Sequence, residues 1–349
     1  MEDTSPASPF LLAMRLVPLL SKSFNRENFM KVGVFTVILA SSKLEKALDY
    51  LVGLGVESVE IGAGGYAGTA HCPVDKLLGS DRAASEFQRL FQSRKLTISS
   101  LSCHGNPLHP NKKIAADHDR AFRKAVRLAR KLDVDVVTTF SGCPGGAPGD
   151  KSPNWVTCPW PPDFLDVLAW QWDKVVTPYW SQHGKFAADH GVKIAIEMHP
   201  GFVVYSPETM LRLREIAGPS VGANLDPSHM FWQAIDPIKA IRVLGDSIFY
   251  VHAKDTQIYD ANLPKTGVLD TKKYTDERNR SWIFRTVGYG HAYQWWTEFI
   301  STLRMFGYDY VLSIEHEDSL MSPEEGLTKA ANFLNQVCIK EQTAAAWWV

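Results

Sequence analysis

Two short apolar runs, 192–197 (V-K-I-A-I-E) and 221–226 (V-G-A-N-L-D), each end on a carboxylate with an imidazole two or three residues beyond. They supply Glu197 with His199, and Asp226 with His229. Two later runs repeat the pattern: 248–254 (I-F-Y-V-H-A-K) carries His252 and Lys254, and 310–318 (Y-V-L-S-I-E-H-E-D) carries Glu315, His316 and Glu317. A carboxylate closing an apolar strand is costly to bury alone, so a cation or a substrate should accompany it. Alternation along a strand puts Ser313, Glu315 and Glu317 on one face, and Ala195 with Glu197 on another. Glu197, Asp226, His252 and Glu315, on four consecutive strands, can then converge on one point. Three carboxylates and one imidazole make a hard, oxygen-rich set suited to one divalent ion: manganese first, with magnesium, cobalt or zinc as alternatives. Such an ion polarises a carbonyl or hydroxyl, and a carboxylate at the site's edge can take the adjacent C–H proton. Glu197 and Glu315 would approach a bound substrate from roughly opposite sides, which makes them the expected acid/base pair.

The elements that must position these groups alternate along the chain. Strand candidates are 32–38, 58–62, 97–102, 136–141, 192–197, 221–226, 248–254 and 310–318. Between and after them, helical periodicity covers 44–54, 83–92, 118–132, 164–190, 207–216, 237–243, 293–306 and 323–337. Ser206-Pro207 and Ser322-Pro323 are helix starts, with a serine cap before a proline at the first helical position. Eight strands each followed by a helix is the count of a (β/α)8 TIM barrel, in which catalytic groups gather at the carboxyl ends of the strands. A doubly wound open sheet fits less well, because no G-x-G-x-x-G follows the first strand. Two long connections, 143–162 and 256–290, follow the fourth and seventh strands and should lie over that rim as lids or partner-contact arms.

Composition bounds the rest. The 37 Lys and Arg residues nearly balance the 38 Asp and Glu, so no basic surplus calls for nucleic acid. No apolar run is long enough to span a bilayer. Five scattered cysteines without a C-x-x-C pair argue against a disulfide framework and a structural zinc knuckle, and favour a reducing, cytoplasmic setting. Residues 1–29 begin acidic and interrupt their short apolar piece at Arg15, which suits a disordered leader better than a secretory signal. Residues 30–340 are expected to form the single barrel domain. Residues 341–349 form a tail whose Trp347 and Trp348 should dock on the chain's own body.

I-E-x-H-P, N-L-D-P-S-H, V-H-A-K-D and S-I-E-H-E-D, in order over strands five to eight, resemble the sugar phosphate isomerase/epimerase superfamily with the xylose isomerase-like barrel. V-E-I-G (59–62), C-H-G-N-P-L-H-P (103–110) and R-T-V-G-Y-G (285–290) strengthen the likeness, which runs from about Met30 to Val337. The resemblance implies a metal on Glu197, Asp226, His252 and Glu315, with the two glutamates as acid and base. It also implies that His229 holds a substrate oxygen. His104, Lys254, Arg285 and His199 are further substrate-binding candidates. Against each stands a plainer role: rim salt bridges for Lys254, a loop-anchoring ion pair for Arg285, support of a metal ligand for His199 and His316. Trp155 and Trp160, in the first long connection, could stack on a ring.

Two branches of the superfamily fit. One comprises isomerases, epimerases and inosose dehydratases acting on sugars or inositols. The other resembles the large subunit of the C-glycoside deglycosidases, lyases of 3-keto-glycosides that work with a small second subunit. The expected partners are accordingly a sugar or glycoside and either a second copy of the chain or a small subunit. An apurinic-site endonuclease of the same barrel class would need three zinc ions and more rim histidines, and the fourth strand ends T-T-F-S-G-C without one. A non-catalytic sugar-binding barrel would be expected to have lost ligands, and all four are present.

Overall fold

The computed structural model describes residues 29–342 together with 345, 346 and 348. Eight parallel strands close into a barrel: β1 Lys31–Phe35, β2 Ser58–Gly62, β3 Thr97–Ser102, β4 Val136–Phe140, β5 Lys193–Glu197, β6 Val221–Leu225, β7 Ile248–Ala253 and β10 Val311–Ile314. Their order around the ring is β1-β10-β7-β6-β5-β4-β3-β2, so the four strands carrying the ionisable ends are neighbours. β6 is buried along its whole length, as a strand covered on both faces must be.

Helices match the periodicity closely where a cap sets the start. Ser206 Oγ accepts from Thr209 N to open Pro207–Ala217, and Ser322 Oγ accepts from Glu325 N to open Pro323–Val337. Asn111 caps Lys112–Leu132 two turns ahead of the apolar stripe that announced it. The stretch read as one helix over 164–190 is broken. A π turn, Gln171–Val176, separates Asp163–Trp170 from Thr177–His190. Pro178 supplies the reason, since it has no N–H to continue the ladder and its ring displaces the preceding turn. The turn also buries Gln171, whose Nε2 donates to Gly145 O (2.9 Å) and Asn154 O (2.6 Å), fastening the first long connection to the helix. At Gly184 a Cβ would sit 1.9 Å from Ala217 O, so helices Thr177–His190 and Pro207–Ala217 touch backbone to backbone.

The second long connection holds structure that periodicity did not announce. Its ends pair as an antiparallel hairpin of β8, Asp255–Ile258, and β9, Trp282–Arg285. Asp255 pins the hairpin to the body: its buried carboxylate accepts from the backbone N–H of Gly288 (3.1 Å), Gly290 (3.1 Å) and His291 (2.9 Å), and from Trp296 Nε1 (3.2 Å).

Of the proposed leader, residues 1–29, all but Phe29 lie outside the described residues, as does Trp347. Trp348 is 73% exposed. No helix among the described residues is long and apolar enough to cross a membrane. All five cysteines are free.

Candidate metal centre and active site

Inward-facing positions alternate up β7 as Tyr250, His252 and Lys254, and the other strands follow the same rule. One ligand atom each from Glu197, Asp226, His252 and Glu315 fall within 4.8 Å of one another. Opposed donors around a small octahedral ion are roughly 4 Å apart, so the spacing is close to what one cation spans. Glu197 is 2% exposed, and Asp226 and His252 are fully buried.

His252 is oriented from below by a residue the sequence reading did not assign a role. Its Nε2 lies 3.0 Å from Glu60 Oε2, and Glu60 is held in turn by Ser313 Oγ on Oε2 (2.9 Å) and Thr138 Oγ1 on Oε1 (2.7 Å). With Nε2–H donating to Glu60, Nδ1 faces the cluster, 3.3 Å from Glu315 Oε2 and 3.5 Å from Glu197 Oε2, and offers its lone pair to an ion that displaces its proton. A carboxylate behind a histidine is the usual arrangement for fixing a metal ligand's tautomer. The sequence did hold the signal, because Glu60 is a single carboxylate between Val59 and Ile61 in an apolar strand.

Two atoms in the cluster lack a hydrogen-bond partner: His252 Nδ1 and Asp226 Oδ2 are both buried and unsatisfied. Asp226 Oδ2 pairs with Lys254 Nζ at 3.2 Å as an ion pair and lies 3.4 Å from His229 Nε2, but has hydrogen-bond geometry to neither. A divalent cation held by the four residues would satisfy both atoms, and the donor set fits it.

The charges point the same way. Burial disfavours ionised Glu197, but His104 and His229 outweigh it and hold the carboxyl well below its ordinary range. His104 Nε2 lies 2.8 Å from Glu197 Oε2, and His229 Nε2 lies 3.0 Å from Oε1. At Glu315 burial is likewise overcome, by Lys254 and then His252. Burial pushes Asp226 up to about 7, against the pull of Lys254 and helped by Glu197 and Glu315. Burial opposes a charge on His252, but Glu60 and Glu315 hold its pKa well above the ordinary value. Since a bound ion must displace the Asp226 proton and the proton that Glu60 and Glu315 hold on His252, Mn²⁺ affinity should rise with pH through about 7 and go on rising above it. Calorimetric titration on either side of that value checks this, and a flat profile counts against Asp226 as a ligand.

The remaining candidates divide. Lys254 joins the cluster, with Nζ 2.6 Å from Glu315 Oε2 and 3.0 Å from Glu317 Oε2, over the Phe284 ring at 4.7 Å. Burial opposes its charge, but Asp226 and Glu315 hold its pKa well above the ordinary value. His229 is pushed down to about 3, mainly by burial, and is therefore neutral. Its Nε2 is spent on Glu197 rather than left for a substrate oxygen. His104 is fixed by Ser102 Oγ on Nδ1 (2.7 Å), and His199 packs its ring 4.1 Å from that of His229. Glu197, His199 and His229 make a second group with metal-ligand spacing. Arg285 departs from the expected substrate clamp: its Nε donates to Asp318 Oδ2 (3.1 Å) and its Nη1 to Gln257 Oε1 (2.7 Å). Those bonds tie the hairpin to the loop after β10, which is the anchoring alternative. His316 faces away from the cluster, against Gly326, where a Cβ would be 1.9 Å from its ring.

Residues 48–337 match the family of xylose isomerase-like TIM barrels. The chain is 41% identical over 310 residues to the uncharacterized protein YfiH of Bacillus subtilis (strain 168), covering 88% of this chain and 99% of YfiH. It superposes on the probable 3-DHS dehydratase AsbF of Bacillus anthracis with a TM-score of 0.61 and 16% identity, covering 88% of this chain and 99% of AsbF. The IOLI protein, solved with a bound zinc atom, superposes with a TM-score of 0.59 and 18% identity, covering 88% of this chain and 98% of IOLI. At these identities the two structural likenesses speak for the fold. By the match over most of its length, the chain belongs to the xylose isomerase-like TIM barrel family.

Proposed function

We propose that this protein is a divalent-metal-dependent isomerase or epimerase of a sugar, keto sugar or inositol derivative. It acts by proton abstraction beside a carbonyl, with Glu197 and Glu315 as the acid/base pair. The observation that carries the reading is the convergence of Glu197, Asp226, His252 and Glu315, with two buried donor atoms unsatisfied and His252 aimed by Glu60. When bound, the ion supplies Lewis-acid polarisation of the substrate's carbonyl oxygen, which acidifies the neighbouring C–H.

The chain's own residues do the proton work. Both glutamates are held ionised by cationic or N–H-donating neighbours and so stand ready as bases. They rise from β5 and β10, with β6 and β7 between them, and so flank a bound ring from two sides. One, as a carboxylate, removes a proton from one face; the other, first protonated by water or a substrate hydroxyl, returns that proton to the opposite face. When Glu315 is neutralised, Lys254 keeps Asp226 and Glu317 as partners, so its charge is never left alone.

A second reading shares the first step and is favoured by a roomy cavity beside the cluster. After the C–H bond breaks, its electron pair forms a C=C bond while the bond to a leaving oxygen or carbon breaks. The second carboxyl, first protonated by water or a substrate hydroxyl, gives that proton to the leaving atom, which makes the enzyme a lyase. Incubation of Mn²⁺-loaded protein with keto sugars in D₂O tests the common step. The expected result is loss of the proton signal beside the carbonyl, halted by chelator and restored by Mn²⁺. Exchange that ignores the chelator would refute the metal-assisted scheme.

A further inference from the structure

A cavity of about 390 Å³ opens directly beside the carboxylate cluster, yet none of the four donor residues lines it. Its floor is His199 and His229, and His229 is the residue whose Nε2 rests on Glu197. The volume falls within the roughly 300–1,000 Å³ of ordinary small-molecule sites. A substrate reacting at the cluster would therefore extend its non-reacting part into this space.

The walls say what that part is. Trp155, Trp232, Tyr274 and Trp282 line the cavity with Val268 and Leu269. The rings are fixed before any ligand arrives: Trp232 and Trp282 stack at 4.7 Å and 4°, and the buried Arg280 guanidinium sits 4.5 Å from both Tyr274 and Trp282. Trp232 Nε1 and Trp155 Nε1 are buried without an acceptor among the described residues. The lining's one carboxylate is already spent, because Asp270 accepts from Lys272 Nζ (2.9 Å), Lys272 N (3.0 Å) and Ser281 N (2.8 Å). The cavity thus offers flat apolar faces and N–H donors but no free carboxylate for a hydroxyl-rich ring.

We infer that this cavity is the subsite for a planar aromatic group bearing an acceptor oxygen, joined to the polyhydroxy part that reacts at the cluster. The substrate class is then aryl glycosides whose sugar ring carries a carbonyl, rather than free monosaccharides, an inference that rests on the proposed reading of the cluster.

Calorimetry on the full chain, with and without Mn²⁺, would compare phenyl β-D-glucoside, methyl β-D-glucoside and cellobiose. Phenyl glucoside should bind at least tenfold more tightly than either of the others. Trp155→Ala, on the half-buried connection, should erase most of that advantage, and Trp232→Phe, which keeps a ring but removes the N–H, should reduce it. Equal affinities, no phenyl preference, or tighter binding of cellobiose would overturn the inference. So would a preference untouched by both substitutions. Because binding is read without turnover, the two readings fail separately. A phenyl preference without metal-dependent exchange sinks only the cluster mechanism, and exchange without the preference sinks only the subsite.

Discussion

Glu315→Gln should lower epimerisation or isomerisation by about 10³-fold or more while the barrel unfolds at nearly the wild-type temperature. The magnitude follows from what a positioned acid/base group contributes, roughly 10²–10⁴-fold, together with weaker ion binding when one of three carboxylates becomes an amide. Stability should change little, because Gln fills the same volume and Lys254 retains Asp226 and Glu317. Turnover must be read at saturating Mn²⁺, so that lost affinity is not mistaken for lost chemistry. The two-sided arrangement makes a sharper demand. Glu197, on β5, should still exchange the proton on its own face, so Glu315→Gln should exchange one epimer in D₂O without converting it. Glu197→Gln should show the same behaviour with the opposite epimer. Full activity in Glu315→Gln would end its acid/base role, and identical exchange patterns in the two variants would end the two-faced scheme.

How far the sequence could lead depended on whether a residue's environment is set locally. The eight strands and the convergence of Glu197, Asp226, His252 and Glu315 were legible because both follow from alternation along short apolar runs in chain order. Glu60 was visible as an oddity but not as a partner of His252. The contact joins β2 to β7 across the barrel interior, and no spacing rule reports a separation of 192 residues. The hairpin β8–β9 was hidden for a related reason. Its strands are held by pairing with each other and by Asp255, while the intervening segment is charged and irregular. Arg285 shows the limit from the other side. An arginine near a rim fits a substrate clamp and an ion pair equally well until its neighbour is known, and Asp318 decides for the anchor. The π turn at Gln171–Val176 could have been anticipated from Pro178 alone, since a proline that deep in a long helix must interrupt the ladder.

Glu60 carries the second large prediction, and it separates positioning from mere packing. Three donors meet its carboxylate: Thr138 Oγ1, Ser313 Oγ and His252 Nε2. Glu60→Ala would take the carboxylate acceptor away from all three, a loss of roughly 3–5 kcal/mol for breaking a buried charged pair. Chemical denaturation reads that loss, but it does not distinguish a structural role from a functional one. Glu60→Gln does, because the shape is kept while one acceptor oxygen becomes a donor. If the new NH₂ faces His252, the ring must turn its proton to Nδ1 and lose the lone pair that faces the cluster; if it faces Thr138, that hydroxyl's bond is reversed or lost. Mn²⁺ affinity should therefore fall by about 10–100-fold with little change in folding stability. A double substitution completes the argument. If Glu60 acts through His252, Glu60→Gln added to His252→Gln should cost almost no further affinity, whereas independent contributions would sum. Wild-type affinity in Glu60→Gln would mean that the tautomer of His252 is set elsewhere, and that the buried carboxylate is there for the barrel alone.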